Sequence, residues 1–224
     1  MFGTNHSDKI VPCHLGVTDI LRQFVRSLKE LRQLARLIGA ETIARRMFYT
    51  NSIDGLISAL GVFLGMTIAG TKTPIIYLGA VLGGSFSMGV FSAFFGTYLS
   101  ERAERLRELK VLEKKMLAEL DDTIYGRAAR AVPLYVAFWS SLGVLLFPAL
   151  AMFPMALVVF GVIDIGIARY LCLLIVHILM FSLGAGLGKI SGENWVKSGA
   201  RSMGIAFAAT LLYLVIGKLG IIVS

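Results

Sequence analysis

Charge is what this chain has least of. Only 16% of its 224 residues are Asp, Glu, Lys or Arg, where a soluble domain carries roughly a quarter, and 56% are hydrophobic. That balance argues against both an ordinary soluble enzyme and a disordered chain. Cysteine is nearly absent: Cys13 and Cys172 are the only two, and so distant a pair sets no disulfide framework. Of the three histidines, His6 and His14 flank Cys13 near the N-terminus at no recognised zinc spacing. The sequence lacks a glycine-rich phosphate loop, a nucleophile elbow, HExxH and a paired CxxC. The expectation is therefore a protein that is not an enzyme and holds no permanent cofactor. No signal peptide precedes the apolar runs, the first of which follows a polar, arginine-rich segment, so the first span is expected to anchor itself.

What is present in abundance is uncharged sequence. Five runs contain no charged residue: Gly55–Thr71, Thr73–Ser100, Ala131–Ile163, Tyr170–Gly188 and Ser202–Gly217. A helix needs roughly 20 mostly apolar residues to cross a bilayer core of about 30 Å, so five spans are predicted. The fold class is all-α, a polytopic membrane protein. The third run is too long for one straight span, and it is read as one tilted or bent helix broken by Pro148 and Pro154. A competing reading ends that helix near Pro154. Asp164 and Arg169 then mark a short external loop.

A net charge of +8 would suggest nucleic acid in a soluble protein, but here the basic residues follow the spans, and no nucleic-acid partner is expected. Eight Lys or Arg fall in residues 1–50, eight in 101–131 and three in 189–201, against Lys72, Arg169 and Lys218 on the other side. The bias predicts a cytoplasmic N-terminus, a cytoplasmic 101–131 connection and an external C-terminus. A prokaryotic cell membrane is the expected location. The organisation is a segment 1–50, two spans in 51–100, a charged connection 101–131 and three spans in 132–218.

Ile20, Leu21, Phe24, Val25, Leu28, Leu31, Leu34 and Ile38 recur at helical spacing, with arginines and Lys29 largely opposite. This predicts a basic amphipathic helix, lying either in the membrane interface or against the 101–131 connection. After the second span, good helix formers continue without Gly or Pro to Gly126, so that helix is expected to run from Pro74 to about Glu119, well into the cytoplasm. Glu101, Glu104 and Glu108 share a face there, with Met116 farther on. They form either a cation-attracting carboxylate face or a solvated helix laced by pairs such as Glu101 with Arg105. The glycines at Gly61 and Gly65, Gly79 and Gly83, and Gly184 and Gly188 form small-xxx-small pairs, which serve intramolecular packing or a homodimer seam.

Ionisable groups inside a span are functional candidates by default. Asp54 opens the first run, either as a cation ligand and proton acceptor or as an acid stabilised by a helix N-terminus. His177 in the fourth run is either a structural histidine or a proton relay. Met88, beside Ser85 and Ser87, offers a thioether and hydroxyls to a transition metal, or merely packs.

The stretch Asn51–Leu56 (NSIDGL), the glycine-rich second span ending Gly96, Tyr98, Ser100, and SGARSM (198–203) leading into YLVIGKLG (213–220) together resemble the vacuolar iron transporter family. The likeness covers residues 45–125 and 180–220. It implies a five-helix homodimer in membrane lipid that exchanges Fe²⁺ or a similar divalent ion such as Mn²⁺ for protons. It also implies an Asp in the first span, a Met in the second and a carboxylate-rich cytoplasmic region. Asp54 matches the first of these. For the Met, two registers compete: one sets Ser87 and Met88 in place, the other sets Ala93 there and Thr97 where the family carries glutamate. The connection is shorter than the family's metal-binding region, and Glu101, Glu104 and Glu108 are the candidates to replace the missing carboxylate.

Overall fold

The computed structural model describes residues 33–36 and 39–223. The predicted amphipathic helix therefore lies outside the described residues except for its last turn, where Ala35 is buried against Ala40, Ala128 and Val132. His6, Cys13 and His14 also lie outside them. The described residues are helical, with no strand among them. The elements are α1 (Ala40–Ile68), α2 (Pro74–Met116), α3 (Ile124–Ala151), the short α4 (Phe153–Val159), α5 (Ile165–Ser191) and α6 (Trp195–Val223). All but α4 are long and apolar enough to cross a membrane, in agreement with the five predicted spans.

Local chemistry sets the ends. Pro74 occupies the first turn of α2, where its missing N–H costs nothing. Thr123 caps α3 by accepting from the Gly126 N–H at 3.2 Å, and Asp164 caps α5 by accepting from the Gly166 N–H at 2.7 Å. Asp164 is thus a cap and Arg169 sits inside α5, so the loop expected there is only the short turn before them. Gly126 is required by crowding: a Cβ there would meet the carbonyl oxygens of Leu120 and Asp121, the latter at 2.7 Å.

Two boundaries differ from the sequence expectation. α1 starts at Ala40, so Asp54 does not open it but sits at its middle, fourteen residues from either end. The third run is not one bent helix. Pro133 and Pro148 are accommodated inside α3, the helix ends at Ala151, and Pro154 starts α4 in its first turn. The competing reading, a break near Pro154, is the correct one, because a proline is tolerated where no backbone donor is needed.

α1 is the central helix, packed on α3, α6, α2 and α5. Leu56, Leu60 and Phe63 of α1 meet Tyr77 of α2, Met152 and Met155 around the α3–α4 junction, and Cys172, Val176 and Met180 of α5 in one buried cluster. α5 and α6 form a close antiparallel pair. A Cβ at Gly184 would strike Ser202 and lie 2.8 Å from the Ser198 carbonyl, so these small residues serve intramolecular packing.

α2 buries a single stripe: Tyr77, Val81, Ser85, Gly89, Ala93, Thr97, Arg105 and Leu109. Their spacing is four residues, or eight. A straight α-helix of 3.6 residues per turn would swing such a stripe by roughly 40° at each four-residue step. Between Met88 and Gly96 the helix is π-helical, and its wider turn holds Gly89, Ala93 and Thr97 on the face toward α3.

Candidate functional site

The outward face of α1 is polar where its inward face is not. Thr50, Asp54, Ser58, Val62 and Gly65 are exposed at three-to-four-residue spacing, while Leu56, Ala59, Leu60 and Phe63 face the core. Asp54 stands about 21 Å of helix from either end. It has no hydrogen-bond or ion-pair partner among the described residues. The neighbouring α2 is also uncovered along Gly79, Gly83 and Gly84, where an added Cβ would meet nothing within 4 Å.

One turn before Asp54, Asn51 takes part in a different arrangement. Its amide donates to Ser140 Oγ of α3. Ser140 Oγ lies 2.9 Å from Thr97 Oγ1 and donates to the Ala93 carbonyl at 3.2 Å. With Thr97 as donor, both lone pairs and the one proton of Ser140 are used. The node joins α1, the π-helical part of α2 and α3, and it leaves Thr97 buried and occupied.

One and two turns beyond Thr97 on the same stripe come Glu101 and Arg105. Arg105 is only 7% exposed. It donates from Nη1 to Glu108 at 2.8 Å and holds Nε 3.7 Å from Glu101, and that Nε lacks a hydrogen-bond partner among the described residues. Burial pushes the Glu101 carboxyl above its usual range, with the Arg105 and Arg46 charges opposing and Glu108 and Glu104 reinforcing. Of the two readings of this helix, the paired one describes Glu101 and Glu108: Glu108 is exposed, whereas Arg105 and Glu101 are far more buried than a solvated helix would have them.

The remaining candidates are scattered. Glu104 is exposed and lies 3.9 Å from Arg107. Met116 is exposed at the end of α2, Ser87 is exposed, and Met88 is half-buried as the first residue of the π-helical segment. His177 sits between α5 and α6, with Nδ1 2.8 Å from the Leu173 carbonyl and the ring edge-on to Phe207 at 5.1 Å. Nδ1 must then carry the proton, and Nε2 is buried without a partner. The structure gathers Thr97 and Glu101 on one stripe, with the exposed Glu108 paired to Arg105 beside it, and leaves Asp54, Glu104, Met116 and His177 apart. Among the described residues no three His, Cys, Asp or Glu come close enough together to hold a metal ion.

Sequence reasoning gave no role to Ser140, to Asn51 or to the burial of Arg105. Their signals were faint: Ser140 and Ser141 are a polar pair within an uncharged run, and Asn51 stands just before another. A clamp at the opposite end was also missed. Arg169 donates to the Thr71 carbonyl and lies over the Tyr77 ring at 5.7 Å, while the Tyr77 hydroxyl meets Thr67 Oγ1 and the Thr71 carbonyl at 3.2 Å each.

The uncharacterized protein MJ0645 of Methanocaldococcus jannaschii is 30% identical over 198 residues, which cover 87% of this chain and 98% of that protein. No family model matches the chain, and no solved structure matches it.

Proposed function

The chain belongs to the family of this Methanocaldococcus jannaschii protein, and for it we propose a proton-coupled exporter of divalent cations, working as a homodimer in the cell membrane. The observation that carries the reading is Asp54: a carboxylate exposed fourteen residues from either end of α1, with no partner among the described residues. Facing lipid, such a group costs on the order of 3 kcal/mol. A second copy placed against the same face would remove it from lipid and oppose two carboxylates across a shared path. Thr50 and Ser58 would add hydroxyl oxygens one turn away on either side. Carboxylates and hydroxyls suit hard or borderline divalent ions that keep some water, and a carboxylate that alternates between metal and proton couples the two. The charge bias supports a cytoplasmic N-terminus and 101–131 connection. Fe²⁺ or Mn²⁺ as cargo rests on the resemblance to vacuolar iron transporters alone.

A second reading is favoured by the inward stripe. Thr97 is held by Ser140, and Glu101 and Glu108 by Arg105, so these two carboxylates are not left free to line a path inside one copy. The protein would then be a docking or sensing element acting through residues 101–122. Proteoliposomes holding a pH-sensitive and a metal-quenched dye separate the two. Fe²⁺ or Mn²⁺ uptake with opposite proton movement, lost in Asp54→Asn, supports the exporter; no uptake from folded dimers puts docking first.

A further inference from the structure

A groove of about 220 Å³ opens between α2 and α3, lined by Phe94, Phe95, Tyr98, Arg130, Ala131 and Leu134. Its position along both helices is defined by charge. The uncharged run of α2 ends at Ser100 and that of α3 begins at Ala131, so the groove lies where both helices change from apolar to basic. Phe95 and Leu134 are exposed on its apolar side. On the charged side Arg102 reaches back over Tyr98, with its guanidinium carbon 5.9 Å from the ring centroid and Nη1 donating to the hydroxyl at 3.2 Å. Arg127 is exposed one turn before Arg130.

Two of the five donors of Arg130 go to Asp121, one to its carboxylate at 2.9 Å and one to its carbonyl. Arg102 has no carboxylate partner among the described residues. An apolar slot lined at its charged side by Arg130, with Arg102 over the lining Tyr98, complements a molecule with an acyl chain and an anionic head. We propose that this groove binds one anionic phospholipid per chain, its acyl chain along Phe95, Ala131 and Leu134 and its phosphate between Arg102 and Arg130. Arginine suits the task because its planar donors fork onto phosphate oxygens, and basic pockets between membrane helices hold anionic headgroups in this manner. The assignment rests on membrane insertion and not on transport.

Native mass spectrometry of detergent-purified protein tests it, with phosphatidylglycerol, phosphatidylcholine or inorganic phosphate added. One retained phosphatidylglycerol per chain is expected, with phosphatidylcholine retained far less and inorganic phosphate unable to displace the lipid. Arg102→Gln should weaken retention about fivefold. Leu134→Trp, which fills the slot and changes no charge, should abolish it. Arg102 is exposed, and its hydrogen bond and ring contact among the described residues are to Tyr98 alone, so its variant should elute and melt as the wild type does. Equal retention of the two lipids would reduce the groove to a greasy surface, and displacement by phosphate would reduce it to a free-anion site. Unchanged retention in both variants would place the lipid elsewhere. Each of these results overturns the proposal, and each is read without an ion gradient, so it stands apart from the outcome of the flux assay.

Discussion

Asn51 and Asp54 sit one turn apart on the same helix and meet opposite fates. Asn51 donates to Ser140 in a node whose central oxygen has no unused lone pair or proton. Asp54 is exposed, with no partner among the described residues. A polar group inside an apolar fold costs free energy unless something satisfies it. The satisfied one is read as part of the scaffold, and the unsatisfied one as directed to something outside the chain. The two groups should therefore respond to substitution in opposite ways.

The largest effect is expected at Asp54. Asp54→Asn should reduce metal-dependent proton movement in proteoliposomes by more than tenfold, while thermal unfolding in detergent stays unchanged or rises, because a costly charge is removed. If unfolding falls sharply instead, the carboxylate is structural and the comparison fails.

The sequence allowed five spans to be counted because charge interrupts apolar runs sharply, and Asp54, Glu101 and Arg105 were visible as charges near their edges. Helix bounds were less visible. Glu41, Arg45 and Arg46 belong to the first turns of α1, yet in the sequence they resemble a polar leader, so Asp54 is expected to open a helix of which it is the middle residue. The π-helical segment has no proline to announce it, and its Gly89 and Gly96 are two glycines among many in this span, so MGVFSAFFG reads as ordinary span. Its trace is the four-residue spacing of Tyr77, Val81, Ser85, Gly89, Ala93 and Thr97, which becomes informative only once these residues are known to be buried. The node at Ser140 joins positions 43 and 89 residues away, and no local pattern reports such a pairing.

Next in size is Arg105. Arg105→Gln leaves the enclosed Glu101 without its nearest counter-charge, and a loss of about 3 kcal/mol is expected. Chemical unfolding in detergent, followed by circular dichroism, would measure it. A change near zero would mean that water already solvates the pair. Ser140→Ala should cost less, about 1–3 kcal/mol, because it leaves two neutral donors unpaired. Flux per folded molecule should remain at the wild-type level, which is the contrast with Asp54→Asn; a loss of flux at full stability would make the node part of the path.

The smallest effect concerns Glu101, and its sign follows from its surroundings. Burial raises this carboxyl above the ordinary value of 4.5, with Arg105 opposing, so the folded state prefers its protonated form more than the unfolded state does. The stabilising contribution is complete below the unfolded value and is lost as pH rises through the raised folded one. Glu101→Gln cannot titrate. Wild type should therefore gain stability relative to Glu101→Gln as the pH is lowered through the range between the raised value and 4.5, a gain that the pull of Arg105 on the ionised carboxylate makes smaller than burial alone would. Melting temperatures of both proteins from pH 7 to pH 4 measure this net change. A difference that shrinks on acidification would mean that Arg105 and Arg46 outweigh burial, and that the inward stripe stabilises an ionised Glu101, where the structure implies a carboxyl easily returned to its neutral form.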